Sequence, residues 1–226
     1  MSQSSSNFDA SIKKLVTMGM LTALAYAVMA VCKVIPKVGG FLSLDAIDAV
    51  IGIGGFLFGP AAAVMMIVVE ALIEMVTLST TGWYGLLMNI LSTTLLICPA
   101  VLIYRRKRNT AWAAFGLVVG VICRTLGMIL FNYIITPLYF GMPRAAVVEM
   151  MPMISTFNLV KGVLNAALLM LVYPPVSAAL RKVGLVAVRN PETPEEKRKF
   201  NVVPMLLAGV VLAGAVLAVL AMLEVI

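Results

Sequence analysis

Long apolar runs separated by short polar breaks dominate the chain. They fall near residues 15–35, 46–59, 60–78, 84–104, 111–136, 154–180 and 202–224. Most approach the roughly 20 residues that a helix needs to cross the hydrocarbon of a bilayer. Backbone N–H and C=O groups in lipid must bond within their own segment, so these runs predict membrane-spanning α-helices. The second run is short and rich in glycine (Gly52, Gly54, Gly55 and Gly59), and it meets the third at Gly59-Pro60, a tight-turn signal.

The polar breaks set the expected topology. Lys13 and Lys14 precede the first run, Arg105, Arg106, Lys107 and Arg108 follow the fourth, and Arg181 and Lys182 follow the sixth, with more basic residues up to Lys199. Basic clusters stay on the cytoplasmic side. An even number of crossings must therefore separate the clusters, which requires the short second run to cross. The N-terminus is then cytoplasmic, in a multi-pass membrane protein. Residues 1–14 read as a cytoplasmic tail, 15–183 as a six-helix core, 184–201 as a cytoplasmic linker and 202–226 as an accessory helix. The Ser-rich start lacks the basic n-region and small-residue cleavage site of a signal peptide.

Composition agrees with this picture. Hydrophobic residues make up 62% of the 226, charged ones 12%, and mean hydropathy is +1.06, more apolar surface than a soluble domain can bury. The net charge of +7 sits in the topology clusters, which argues against a nucleic-acid partner. Cys32, Cys98 and Cys123 lie in apolar runs without C-x-x-C spacing and read as packing residues. With no histidine in the chain, His-based metal sites and proton relays are excluded.

Candidate chemistry concentrates in the sixth run, where Asn158, Lys161 and Asn165 follow each other at intervals of three and four and share one helix face. An amine at mid-bilayer costs about 2.5–3.5 kcal/mol on insertion scales, so such a stripe turns to a partner, a cavity or a ligand. Asn132, with Tyr133, Thr136 and Tyr139 after it, lies near the outer end of the fifth run, and Trp83 and Tyr84 open the fourth at the same level. Amides and an amine flanked by aromatics suit a neutral polar ligand. An aromatic interface belt accounts for Trp83 and Tyr139 but poorly for the polar stripe. The loop Pro36–Asp45 carries apolar Phe41 and Leu42, odd in an outward loop unless it covers something.

Arg124 lies mid-span and requires a counter-charge. Glu70 and Glu74, one turn apart in the third run, are the expected partners, as a structural ion pair or a coupling-ion site. Gly19, Ala23 and Ala27 form a small-residue ladder on the first run, suited either to a partner helix or to packing within the bundle. Gly116 and Gly120, on the face of Arg124, read as internal packing. No HExxH, nucleophile-elbow, Asp-rich or Walker A pattern occurs, so the chain does not read as an enzyme, and any ATP-driven work belongs to another chain.

The stretches LTALAYAVMA (21–30), FLSLDAID (41–48), GGFLFGP (54–60), TGWYGL (81–86), NYIITPLY (132–139) and FNLVKG (157–162) together resemble the substrate-binding S-components of energy-coupling-factor vitamin transporters, specifically the riboflavin-specific members. The resemblance implies an all-α polytopic membrane protein with a six-helix S-component core, here extended by one extra C-terminal transmembrane helix. It implies that riboflavin is bound from outside as cargo, with no cofactor, and that Asn132, Asn158 and Lys161 contact it. Phe41, Leu42 and Asp45 would belong to a loop closing over the pocket. Ala23 and Ala27 would face a transmembrane coupling subunit, itself driven by two ATPase subunits. An S-component for another vitamin and a membrane scaffold without a small ligand are the competing readings.

Overall fold

A computed structural model describes residues 2–186 and 202–222, with side chains from Asp9 to Val186 and from Leu206 to Met222. Seven α-helices take up nearly all of them: α1 (Ser2–Cys32), α2 (Ile47–Phe58), α3 (Pro60–Thr77), α4 (Gly82–Lys107), α5 (Thr110–Phe140), α6 (Arg144–Lys182) and α7 (Val202–Met222). Extended pairing among the described residues is limited to a bridge between Val38 and Leu42. Five helices are long and apolar enough to cross a membrane, while α2 and the described side-chain portion of α7 are shorter. Most of the expected linker, Arg189, the basic residues 197–199 and Glu224 lie outside the described residues.

α2 is the centre of the bundle. Nine of its twelve residues are buried, and it packs against α1, α3, α4 and α6. Its glycines permit this: a Cβ at Gly54 would lie 2.5 Å from Met66 Sδ of α3, and one at Gly55 2.7 Å from Val101 Cγ2 of α4. Twelve residues rise only about 18 Å, so α2 alone cannot cross. It nevertheless ends at the basic end of the bundle, where a Cβ on Gly59 would lie 3.0 Å from the Arg105 guanidinium. The second crossing is therefore composite, with the loop between α1 and α2 supplying the other half. Four helices, α1 to α4, run between Lys13 and Arg105.

α4 and α5 approach backbone to backbone. A Cβ on Gly116 would sit 2.7 Å from the carbonyl oxygen of Ala100, and one on Gly120 would collide with that of Leu96. This is the internal packing expected of the pair. Gly19, Ala23 and Ala27, by contrast, are exposed on the outer face of α1, whose opposite face buries Met18, Leu21, Ala25 and Met29.

Two element boundaries differ from expectation. Residues 137–153, read as a loop, are mostly helix: α5 runs through Pro137 to Phe140, Gly141 ends it in the left-handed conformation (φ 64°), and α6 starts at Arg144. Both helices thus project beyond the hydrocarbon thickness. The Ser-rich N-terminal stretch continues α1 as helix rather than standing apart as a tail. α7 buries a stripe of Ala208, Ala215 and Val219 and packs on α6.

Candidate ligand-binding site

A cavity opens at the end of the bundle remote from the basic clusters. Its interior holds about 120 Å3 of water-accessible space, and about 900 Å3 counting the open mouth. α5 supplies one wall through a ladder at i, i+4 spacing: Arg124, Met128, Asn132 and Thr136, then Tyr139 and Phe140. α4 faces it with Tyr84, Met88, Asn89 and Ser92. α6 contributes Phe157, Asn158 and Lys161, and the α1–α2 loop closes the remaining side with Phe41, Leu42, Ser43 and Asp45.

Aromatic rings line the mouth in sequence. Tyr84 and Tyr139 have centroids 5.1 Å apart, Tyr139 and Phe140 4.7 Å, and Phe140 meets Phe41 edge-on at 5.2 Å. Phe41 and Leu42, the apolar residues that looked misplaced in a loop, are half-buried against the cavity.

The amides divide their hydrogen-bonding capacity between helix and cavity. Asn132 Nδ2 donates to Met128 O (2.7 Å), and Thr136 Oγ1 donates to Asn132 Oδ1 (2.9 Å), which fixes the amide's orientation. Asn158 Nδ2 donates to Ile154 O (2.9 Å), which leaves its carbonyl and second N–H toward the cavity. Lys161 Nζ donates to Asp45 Oδ2 (2.7 Å) and to Ser43 O (3.1 Å), clamping the loop to α6. Lys33 pairs with Glu74 (2.7 Å), and Asn89 Nδ2 donates to the other oxygen of that carboxylate (2.5 Å). These three cavity residues were not singled out as ligand-facing from the sequence. Asn89 and Ser92, three apart in a largely apolar run, were the signal that could have found the share of α4.

Three expectations are corrected. Arg124 pairs with neither glutamate: its Nη1 bonds Asp48 Oδ2, while Thr93 Oγ1 donates to Asp48 Oδ1 (2.6 Å). Asp48 lies in the first turn of α2, which starts deep enough in the bundle to meet mid-span Arg124, so a third buried acid escapes the reading of run lengths. Glu74 is taken by Lys33, and Glu70 is buried with its Oε1 lacking a hydrogen-bond partner among the described residues. Trp83 is 73% exposed and lies outside the cavity lining, while its neighbour Tyr84 is within it. Asn165 does not reach the cavity either. Its Oδ1 accepts from Ala49 N (3.0 Å) and its Nδ2 donates to Asp45 O (2.9 Å). It thereby satisfies the start of α2, whose own N-cap residue, Ala46, has no side-chain acceptor.

The family model for the ECF transporter substrate-specific component matches residues 13–173. The chain belongs to this family. The S-component is 28% identical over 178 residues to the riboflavin transporter RibU of Staphylococcus aureus, covering 76% of this chain and 94% of that one. It is 23% identical over 176 residues to the riboflavin transporter FmnP of Bacillus subtilis, covering 72% and 90%. A solved structure titled as the S component of a bacterial ECF transporter superposes with a TM-score of 0.65 at 27% identity, covering 76% of this chain and 99% of that chain. The family is one of transporter substrate-binding components rather than a catalytic one, and the apolar helices make this member a multi-pass membrane protein. The family match ends before α7 begins.

Proposed function

We infer that this S-component binds riboflavin on the outer face of a bacterial plasma membrane and passes it to a transmembrane coupling subunit powered by two ATPase subunits. The carrying observation is the cavity, in which the unspent amide groups of Asn158 lie among methionine and aromatic walls. A flavin has flat faces that Met88, Met128, Phe157 and Tyr84 could cover, and a donor–acceptor edge that amides could read. Its hydroxylated side chain would meet the polar group of Glu74, Asn89 and Ser92. The Arg124 Nε, buried without a partner among the described residues at the inner end of the cavity, offers a further donor. The two relatives named as riboflavin transporters support the choice of ligand.

Sidedness follows from charge. Lys13, Lys14 and Arg105–Arg108 at the opposite end favour a cytoplasmic location there, which turns the cavity outward and leaves the N-terminus inside. The exposed ladder of Gly19, Ala23 and Ala27 would let a helix of the coupling subunit approach closely.

Purified protein titrated with riboflavin tests the reading. Saturable quenching of flavin fluorescence is expected, together with a flavin released on denaturing protein expressed without added vitamin. A monodisperse preparation that quenches no flavin would overturn it, and competition by a thiamine- or pantothenate-like vitamin alone would move the chain to another S-component class.

A further inference from the structure

α7 reaches the ligand site through the loop between α1 and α2. Val219 and Met222, in its last described turns, pack with Val38, Leu42 and Leu44 of that loop and with Phe157 of α6. Leu42 and Phe157 also border the cavity, so α7 shares this cluster with two residues of the cavity lining. Val38, Leu44, Phe157 and Val219 are all buried in this cluster, which is separate from the main core.

The loop is tied to itself by a closed turn. Val38 N donates to Leu42 O (3.0 Å) and Leu42 N to Val38 O (3.1 Å), closing a tight turn through Gly39 and Gly40, both at positive φ (60° and 80°). Its cavity side is held by polar and ring contacts, Lys161 on Asp45 and Phe140 on Phe41. Its apolar back, Val38 and Leu44, rests on α6 and α7.

We propose that α7 is a brace that holds this loop shut and thereby sets the rate at which ligand enters and leaves the cavity. The proposal rests on the riboflavin reading only for the identity of the ligand. The packing of Val219 in one cluster with Val38, Leu44 and Phe157 does not involve a ligand, so it favours the closed loop equally with and without one. A contact of that kind changes how often the gate opens but not the balance between free and bound protein. Entry and release therefore slow together while affinity stays constant, unlike the effect of any residue that touches the ligand.

The test uses the full chain with Val219→Ala, and Val219→Ile as the conservative control. Stopped-flow riboflavin binding should show association and release both accelerated, roughly three- to tenfold for the loss of two buried methyl groups, with Kd within about twofold of wild type. The isoleucine variant should keep wild-type rates. In ligand-free protein, the Val38 and Leu42 amides should exchange hydrogen faster in Val219→Ala, while those of α2 to α5 stay unchanged. Unaltered rates and exchange would overturn the brace. So would faster release with a matching loss of affinity, or exchange raised equally through every helix, since α7 would then act on the bound state or on the whole bundle. If no flavin binds at all, the functional reading fails, and the exchange of those two amides in ligand-free protein decides the brace alone.

Discussion

Arg124 and Asp48 are each almost wholly buried, at a depth where an unpaired charge is costly. Asp48→Asn should strand the guanidinium and destabilise the protein by about 3–5 kcal/mol. Asp48→Leu combined with Arg124→Met should recover much of that loss, as read from thermal unfolding in detergent. A glutamate change carries no such penalty at this pair: Glu70→Gln should leave Arg124 satisfied, which separates the observed pairing from the one the sequence suggested. Lys161 differs because it lines the cavity itself as well as holding the loop. Lys161→Ala should weaken riboflavin binding by about 1.5–3 kcal/mol, the usual worth of a hydrogen bond to a charged group. Trp83→Ala, on the exposed side of α4, should stay within about 0.5 kcal/mol in the same fluorescence titration.

At the scale of elements, α1 presents two faces with different tasks. The inner one packs in the bundle, and the outer one carries Gly19, Ala23 and Ala27 with nothing among the described residues over it. Ala27→Trp should abolish riboflavin uptake in cells while purified protein keeps wild-type affinity, because bulk there obstructs a partner helix and leaves the cavity alone. Loss of flavin binding in that variant would return the ladder to the protein's own core. The exposed ladder is also an instance of what the sequence left open, since small-residue spacing looks the same for a partner and for the bundle. Gly116 and Gly120 have a similar spacing and meet backbone inside the protein. Apolar run length located the crossings well. It could not locate the depth at which α2 starts, because hydropathy does not distinguish a helix that begins at the membrane surface from one that begins halfway down. Asp48 was consequently overlooked, and Arg124 was matched to the glutamates that remained. The polar stripe of the sixth run was legible as a stripe. Its division between cavity (Asn158, Lys161) and the start of α2 (Asn165) depends on which neighbour each turn meets.

Across the whole molecule, basic residues gather at one end and the cavity opens at the other, with the composite second crossing running between them. That crossing has a consequence for how the protein is made. A twelve-residue helix carrying Asp48 in its first turn is a poor candidate for insertion on its own, since the segment is too short to span and would draw that carboxylate into the bilayer unpaired. Its polar contacts come from later in the chain, Thr93 of α4, Arg124 of α5 and Asn165 of α6. α2 should therefore wait at the insertion machinery and take up its place only when those helices emerge. Nascent chains halted before Thr93 should leave a tag placed after Gly59 accessible from the wrong side or unfixed, and chains released after α6 should protect it. Early and complete protection in the short chains would mean that α2 inserts unaided. The order of the helices in the chain is thus not their order of assembly, because the innermost, second in sequence, is seated among the last.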